Sequence, residues 1–228
     1  MFGSLQGGCT DAMANPPEIT DILFDLGKVL VPLDWRIAFQ RLVAYLPVHQ
    51  ARLLREDPRA FHDLFHDPAL ALEKGRIDFA DFYSVMCEVL DVAITMDQFH
   101  LIWCDIFSLN PRTVALGKSL SERYGTWLVS NTNEAHYQWV IGKFPEILFF
   151  RAAALSYELG VMKPDPEYYE KAVSLFGVSA PNCLFIDDLA ENVQGAVRAG
   201  MTGIVYEDTD QLIGELRLLG IDVDGSKE

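Results

Sequence analysis

Residues 19–30 read ITDILFDLGKVL. The apolar run Ile22, Leu23 and Phe24 is short and unbroken, as a fully buried strand should be, and it delivers one carboxylate, Asp25, into a turn made permissive by Gly27. Ligands in open α/β sheets bind outside the carboxyl ends of the strands. An aspartate at such an end is therefore a candidate nucleophile or metal ligand. Taken alone, the same residue also fits a plainer role, ending the strand and capping the following turn.

Beyond Asn110, helix and strand alternate. The pattern predicts helices over 111–124, 134–144, 166–176, 190–199 and 209–219, and strands over 126–129, 148–155, 183–186 and 203–206. Asn110 is suited to cap the first of these helices and Pro111 to occupy its first position. Such alternation calls for a parallel sheet with right-handed crossovers. From 33 to 109 the pattern changes to helical spacing without a strand. One apolar face is Ile37, Phe39, Leu42, Val43 and Leu46, a second Phe79, Phe82, Tyr83, Met86 and Leu90, and a third Phe99, Ile102, Trp103 and Ile106. Turn signals at Pro47, Asp57-Pro58, Asp67-Pro68 and Lys74-Gly75 are expected to separate them. The reading divides the chain into a leader, residues 1–17, expected to be disordered; an α/β core, residues 18–33 and 109–228; and a helical insertion, residues 34–108.

Composition narrows the partners. The 228 residues are 50% hydrophobic and carry a formal net charge of −15, a globular balance with no basic cluster to bind nucleic acid or an anionic membrane. The same charge repels phosphorylated molecules, so a phosphate site would have to supply positive charge locally. Cys9, Cys87, Cys104 and Cys183 show no CxxC spacing and read as structural thiols in a reducing compartment rather than as a zinc site. Residues 1–17 lack the basic and apolar regions of a secretory signal, and no apolar run reaches the length of a membrane span. The expected location is cytoplasmic.

Three later stretches bear on Asp25: Leu128-Val129-Ser130-Asn131-Thr132-Asn133, Gly160-Val161-Met162-Lys163-Pro164-Asp165-Pro166, and Leu184-Phe185-Ile186-Asp187-Asp188 with Asn192. Together with Phe24-Asp25-Leu26-Gly27, they resemble in order and spacing the four motifs of the haloacid dehalogenase (HAD) hydrolase superfamily. The first motif is similar to that of HAD sugar-phosphate phosphatases reading Phe-Asp-Leu-Gly. The resemblance implies a Rossmann-like parallel sheet, with the insertion as a helical cap domain closing over the active site and largely deciding the substrate.

The chemistry of such a site is hydrolysis of a small phosphate monoester by covalent catalysis: a carboxylate attacks phosphorus, alcohol departs, and water cleaves the aspartyl-phosphate. Asp25 is the expected nucleophile. Two anions must meet, so positive charge has to be concentrated on the transferring oxygens. Mg²⁺ suits an all-oxygen site, and Asp25, the backbone carbonyl of Gly27, Asp187 and Asp188 form a ligand set for it. The plainer reading of Asp187 and Asp188 is a solvated pair at a helix start, where the dipole favours acids. Carboxylates converging in one cleft would repel unless a cation sat among them. Ser130 and Asn131 are placed to hold phosphate oxygens, or simply to cap the next helix. Lys163 as catalytic and phosphate-binding ammonium rests on the family's third motif. Asn192 is a candidate to orient it, or a helix-face residue.

One position departs from the pattern. HAD phosphatases usually carry a second aspartate two residues after the nucleophile, as general acid and base; here that residue is Gly27. General acid–base help is worth about 10² to 10⁴-fold, against at least roughly 10⁶-fold for enzymes in total, so its loss weakens a phosphatase without abolishing it. A better leaving group, such as the anomeric oxygen of a sugar 1-phosphate, needs the acid less. Lys28, where glycine is commoner, supplies part of the missing function, contacts substrate, or is simply solvated. Two rivals remain: a 2-haloacid dehalogenase, whose halide leaves without a proton but which needs no metal and normally lacks the acidic pair, and a non-catalytic binding module. His62, His66 and His136 are expected as surface or cap-helix residues. Trp35, Trp103 and Trp139 are expected in packing, with the cap entrance as the alternative. A homodimer through an exposed cap surface stays open.

Overall fold

The computed structural model describes residues 18–56 and 58–223. The leader with Cys9 lies outside the described residues, as does the side chain of His62. Five strands, β1 (Asp21–Asp25), β2 (Gly125–Ser130), β3 (Ala153–Leu155), β4 (Cys183–Asp187) and β5 (Thr202–Val205), form one parallel sheet in the order β3-β2-β1-β4-β5. The central strand is covered on both faces, which explains its continuous apolar run. Its side chains alternate: Ile22 and Phe24 pack with Leu128, Leu184 and Ile186 on one face, while Leu23 packs with Val129 and Phe185 on the other. Helices α6 (Pro111–Leu120) and α11 (Thr209–Leu218) cover the first face, and α9 (Pro166–Phe176) and α10 (Ala190–Arg198) the second.

Among the described residues, the segment between β1 and α6 holds five helices: α1 (Trp35–Leu42), α2 (Val48–Glu56), α3 (Pro58–Glu73), α4 (Phe79–Leu90) and α5 (Met96–Cys104). Their starts follow local chemistry, with Asp34 and Asp78 as N-caps and Thr95 forming a capping box with Gln98. They bury a separate cluster that includes Leu42, Phe82, Met86, Phe99, Ile102 and Trp103. The chain leaves and re-enters the core side by side: Leu33 bridges Phe107, the Asp34 N–H donates to the Ile106 carbonyl at 3.0 Å, and that of Ser108 to Pro32 at 2.9 Å.

Two expected boundaries fail. Asp67-Pro68 does not interrupt the chain, because Pro68 lies inside α3. A proline there costs about 3 kcal/mol or more; Phe65 before it and Leu72 after it are both buried in the helical cluster, and their burial offsets the lost bond. The strand expected over 148–155 contracts to Ala153–Leu155. Phe149 and Phe150 both turn their rings toward Phe24, at 6.4 and 5.9 Å between centroids, so the segment packs by its rings instead of alternating as a strand. A short helix, α8 (Ser156–Leu159), follows β3, and α7 (Glu134–Lys143) follows β2. Among the described residues, no helix is long and apolar enough to cross a membrane. Cys104 and Cys183 are buried free thiols, each pushed up to about 12 by burial, which suits a structural role.

Candidate active site

Sheet register brings the acids together. Phe24 lies opposite Ile186, so Asp25 and Asp187 end adjacent strands one residue further on. The ammonium of Lys163, its side chain 1% exposed, donates to Asp25 Oδ1 at 2.6 Å, to Asp187 Oδ2 at 2.7 Å and to the Val129 carbonyl at 3.2 Å. Burial pulls this ammonium down, yet the two carboxylates more than offset it and hold it above its ordinary value. Burial also pushes the Asp25 carboxyl up to about 7; the Lys163 charge opposes the rise, and Asp187 and Asp188 add to it.

Supporting groups fix this arrangement. Asn131 accepts the Lys163 N–H and donates to the Lys163 carbonyl, both at 2.9 Å, so its side-chain amide is engaged with the lysine's own backbone at both ends. Asn192 reaches Asp187, not Lys163: its Nδ2 donates to the two carboxylate oxygens at 2.9 and 3.1 Å. The Leu189 N–H adds a donor to Asp187 Oδ1 at 2.9 Å. Asp187 is thus fully buried with both oxygens satisfied. Ser130 is buried at the end of β2. The loop after it is pinned by Ser156, whose hydroxyl accepts from the Thr132 N–H and donates to its carbonyl, both at 2.9 Å. Ser156 escaped sequence reasoning because it followed a stretch read as strand.

Asp188, its side chain 16% exposed, pairs with Lys28 at 2.8 Å. Asp25, Asp187 and Asp188 each place one carboxylate oxygen within 4.8 Å of the others. Three carboxylates against two ammonium groups leave the cluster formally negative. Two like charges about 4 Å apart repel by roughly 4 kcal/mol near a protein surface. A hard divalent cation is the chemistry this donor set fits. The Gly27 carbonyl accepts from the Val29 N–H at 2.7 Å and keeps a second lone pair. A Cβ at position 27 would meet Asp25 Oδ2 and Leu33 Cδ2 at 3.7 Å, ordinary contact.

The expected histidines separate. His66 is exposed and lies 3.0 Å from Asp67. His136 is neither a surface nor a cap residue: it stands on α7 in the core, 5% exposed, with Nε2 3.1 Å from the Trp103 carbonyl of α5 and Nδ1 3.1 Å from the Asn133 amide. A carbonyl on Nε2 and an amide donor on Nδ1 assign the neutral Nε2–H tautomer. Trp103 stacks on His136 at 5.2 Å and on Phe65 at 5.8 Å, whereas Trp35 stays 38% exposed beside it. Trp139 is half-buried on α7, in contact with His100.

The family model for haloacid dehalogenase-like hydrolases matches residues 19–200. D-ribitol-5-phosphate phosphatase of Bacteroides thetaiotaomicron is 26% identical over 186 residues, 77% of this chain and 85% of that one. Flavin mononucleotide hydrolase 1 of Arabidopsis thaliana is 45% identical over 64 residues, which is 28% of this chain and only 26% of that protein. A HAD family enzyme from Bacteroides thetaiotaomicron, solved in complex with magnesium and inorganic phosphate, superposes with a TM-score of 0.72 at 25% identity, covering 85% of this chain and 98% of that one.

Proposed function

The chain belongs to the haloacid dehalogenase-like hydrolases, and from that membership we propose that it is a Mg²⁺-dependent phosphatase of small phosphate monoesters working through an aspartyl-phosphate on Asp25. The observation that carries this is the buried Lys163 ammonium joining Asp25 to Asp187, with Asp188 completing an acidic cluster within 4.8 Å. The relatives active on ribitol 5-phosphate and flavin mononucleotide, and the neighbour holding magnesium and phosphate, support the same reading.

In the first step an Asp25 oxygen forms a bond to phosphorus as the ester P–O bond breaks. Lys163 favours the ionised form of Asp25 against the effect of burial, holds its carboxylate in place, and neutralises charge on the transferring oxygens. The Ser130 hydroxyl and the backbone N–H groups at the start of α7 receive the phosphate oxygens. Asp25, Asp188 and the Gly27 carbonyl would hold Mg²⁺ directly, with Asp187 fixed behind them by Lys163 and Asn192. Bound there, the ion supplies charge neutralisation of the phosphoryl group. The departing alkoxide takes its proton from water, since position 27 has no side chain to give one. A second water then attacks phosphorus, freeing Asp25 and inorganic phosphate. Good leaving groups are favoured accordingly, which selects sugar 1-phosphates over 6-phosphates. A screen of phosphate esters with Mg²⁺, run against Asp25→Asn and against chelator, tests the assignment. Ester hydrolysis that survives chelation would remove the metal from the mechanism, metal-independent release of halide from a 2-haloacid with no ester hydrolysis would support the dehalogenase class instead, and activity that survives Asp25→Asn would remove the nucleophile.

A further inference from the structure

Lys28 is not absorbed by this mechanism. It is a non-glycine residue at φ +57°, in the left-handed region where side chains are disfavoured, and its ammonium lies 2.8 Å from Asp188 Oδ2. Backbone cost of this kind persists where the side chain has a compensating role. Asp187 is saturated by Lys163, Asn192 and the Leu189 N–H, so Asp188 is the acid of the pair that remains open to a cation. Lys28 already stands on it.

We propose that Lys28 is an intrinsic counter-ion of the cation site, which neutralises Asp188 in the metal-free enzyme and must yield to Mg²⁺ on loading, so that it weakens and tunes Mg²⁺ affinity. The inference rests on the phosphatase reading and adds a regulator to its metal site. Without Lys28 the three acids face Lys163 alone, and a dication meets one more uncompensated charge. The pair is partly exposed, with 58% of the Lys28 side chain accessible, so its influence is screened by salt.

Calorimetric titration of MgCl₂ into metal-free wild type and Lys28→Met tests this without any turnover. Methionine keeps the aliphatic stem and the same backbone cost while removing the charge. The expected result is about tenfold tighter binding in Lys28→Met at low ionic strength, a difference that shrinks in 0.5 M KCl, with Lys28→Arg close to wild type. Lys28→Gln, which also lacks the charge, gives the same reading if the methionine variant folds poorly. Equal or weaker Mg²⁺ affinity in the uncharged variants overturns the role of Lys28 and leaves the phosphatase reading standing. Absence of Mg²⁺ binding in wild type and variants alike overturns the metal-dependent reading itself.

Discussion

A carboxymethyl group is what position 27 lacks, and the space for its first carbon exists: the nearest atoms to an added Cβ are 3.7 Å away. Gly27→Asp is therefore expected to fold and to supply a proton to the leaving oxygen. Turnover of sugar 6-phosphates, which have poor leaving groups, should rise about 10² to 10⁴-fold, while that of p-nitrophenyl phosphate changes little. Parallel kcat measurements on the two substrates check this, and equal effects on both would contradict it. Lys163→Met has the opposite character. It leaves Asp25 and Asp187 buried and unpaired, so denaturant unfolding should show a loss of about 3 to 5 kcal/mol together with loss of activity. The acids at 25 and 187 were legible in the sequence because each closes an apolar run at a strand end. The partners of Asn131, Asn192 and Lys28 were not. Lys28 and Asp188 are 160 residues apart, and only the register of the sheet brings their loops together.

Between elements, the contacts of α7 with α5 and of the α3–α4 turn with α8 join the helices of the 34–108 segment to the α/β layers. His136 carries the first. Its ring is held far below its ordinary value, to about 4, because burial penalises the charged form; the Trp103 carbonyl opposes this and His100 adds to it. A depressed folded-state value makes its contribution to stability complete above about pH 6.5 and progressively lost as pH falls toward 4. The loss should reach on the order of 3 kcal/mol. Chemical denaturation across that range should show the decline in wild type and a flatter profile in His136→Gln. Its role was hidden from sequence because a lone histidine on a helix does not reveal what lies across an interface. The second contact rests on Gly75, at φ +62°, where an added Cβ would lie 2.2 Å from the Tyr157 carbonyl oxygen. Gly75→Ala should push the turn off α8, raising KM more than it lowers global stability; steady-state kinetics and thermal unfolding on one preparation separate the two.

Over the whole molecule, the order of helices and strands followed from periodicity, since buried parallel strands and amphipathic helices write different patterns. The failures at 148–152 and at Pro68 lie where aromatic packing or burial in the helical cluster overrode local signals. Charge acts at the same scale. A chain of net charge −15 repels a dianionic ester, so kcat/KM at saturating Mg²⁺ should rise as ionic strength increases from about 10 to 100 mM, the range over which the Debye length falls from about 30 to 10 Å. A cation held at the acidic cluster, together with Lys163, would oppose that repulsion locally.

The proposed mechanism requires Asp25 to form a covalent bond to phosphorus. Rapid acid quench of the enzyme with a ³²P-labelled ester and Mg²⁺, followed by peptide mapping, should place the label on Asp25 and find none in Asp25→Asn or after chelation. Steady release of inorganic phosphate by a wild-type protein that never carries label at Asp25 would contradict it.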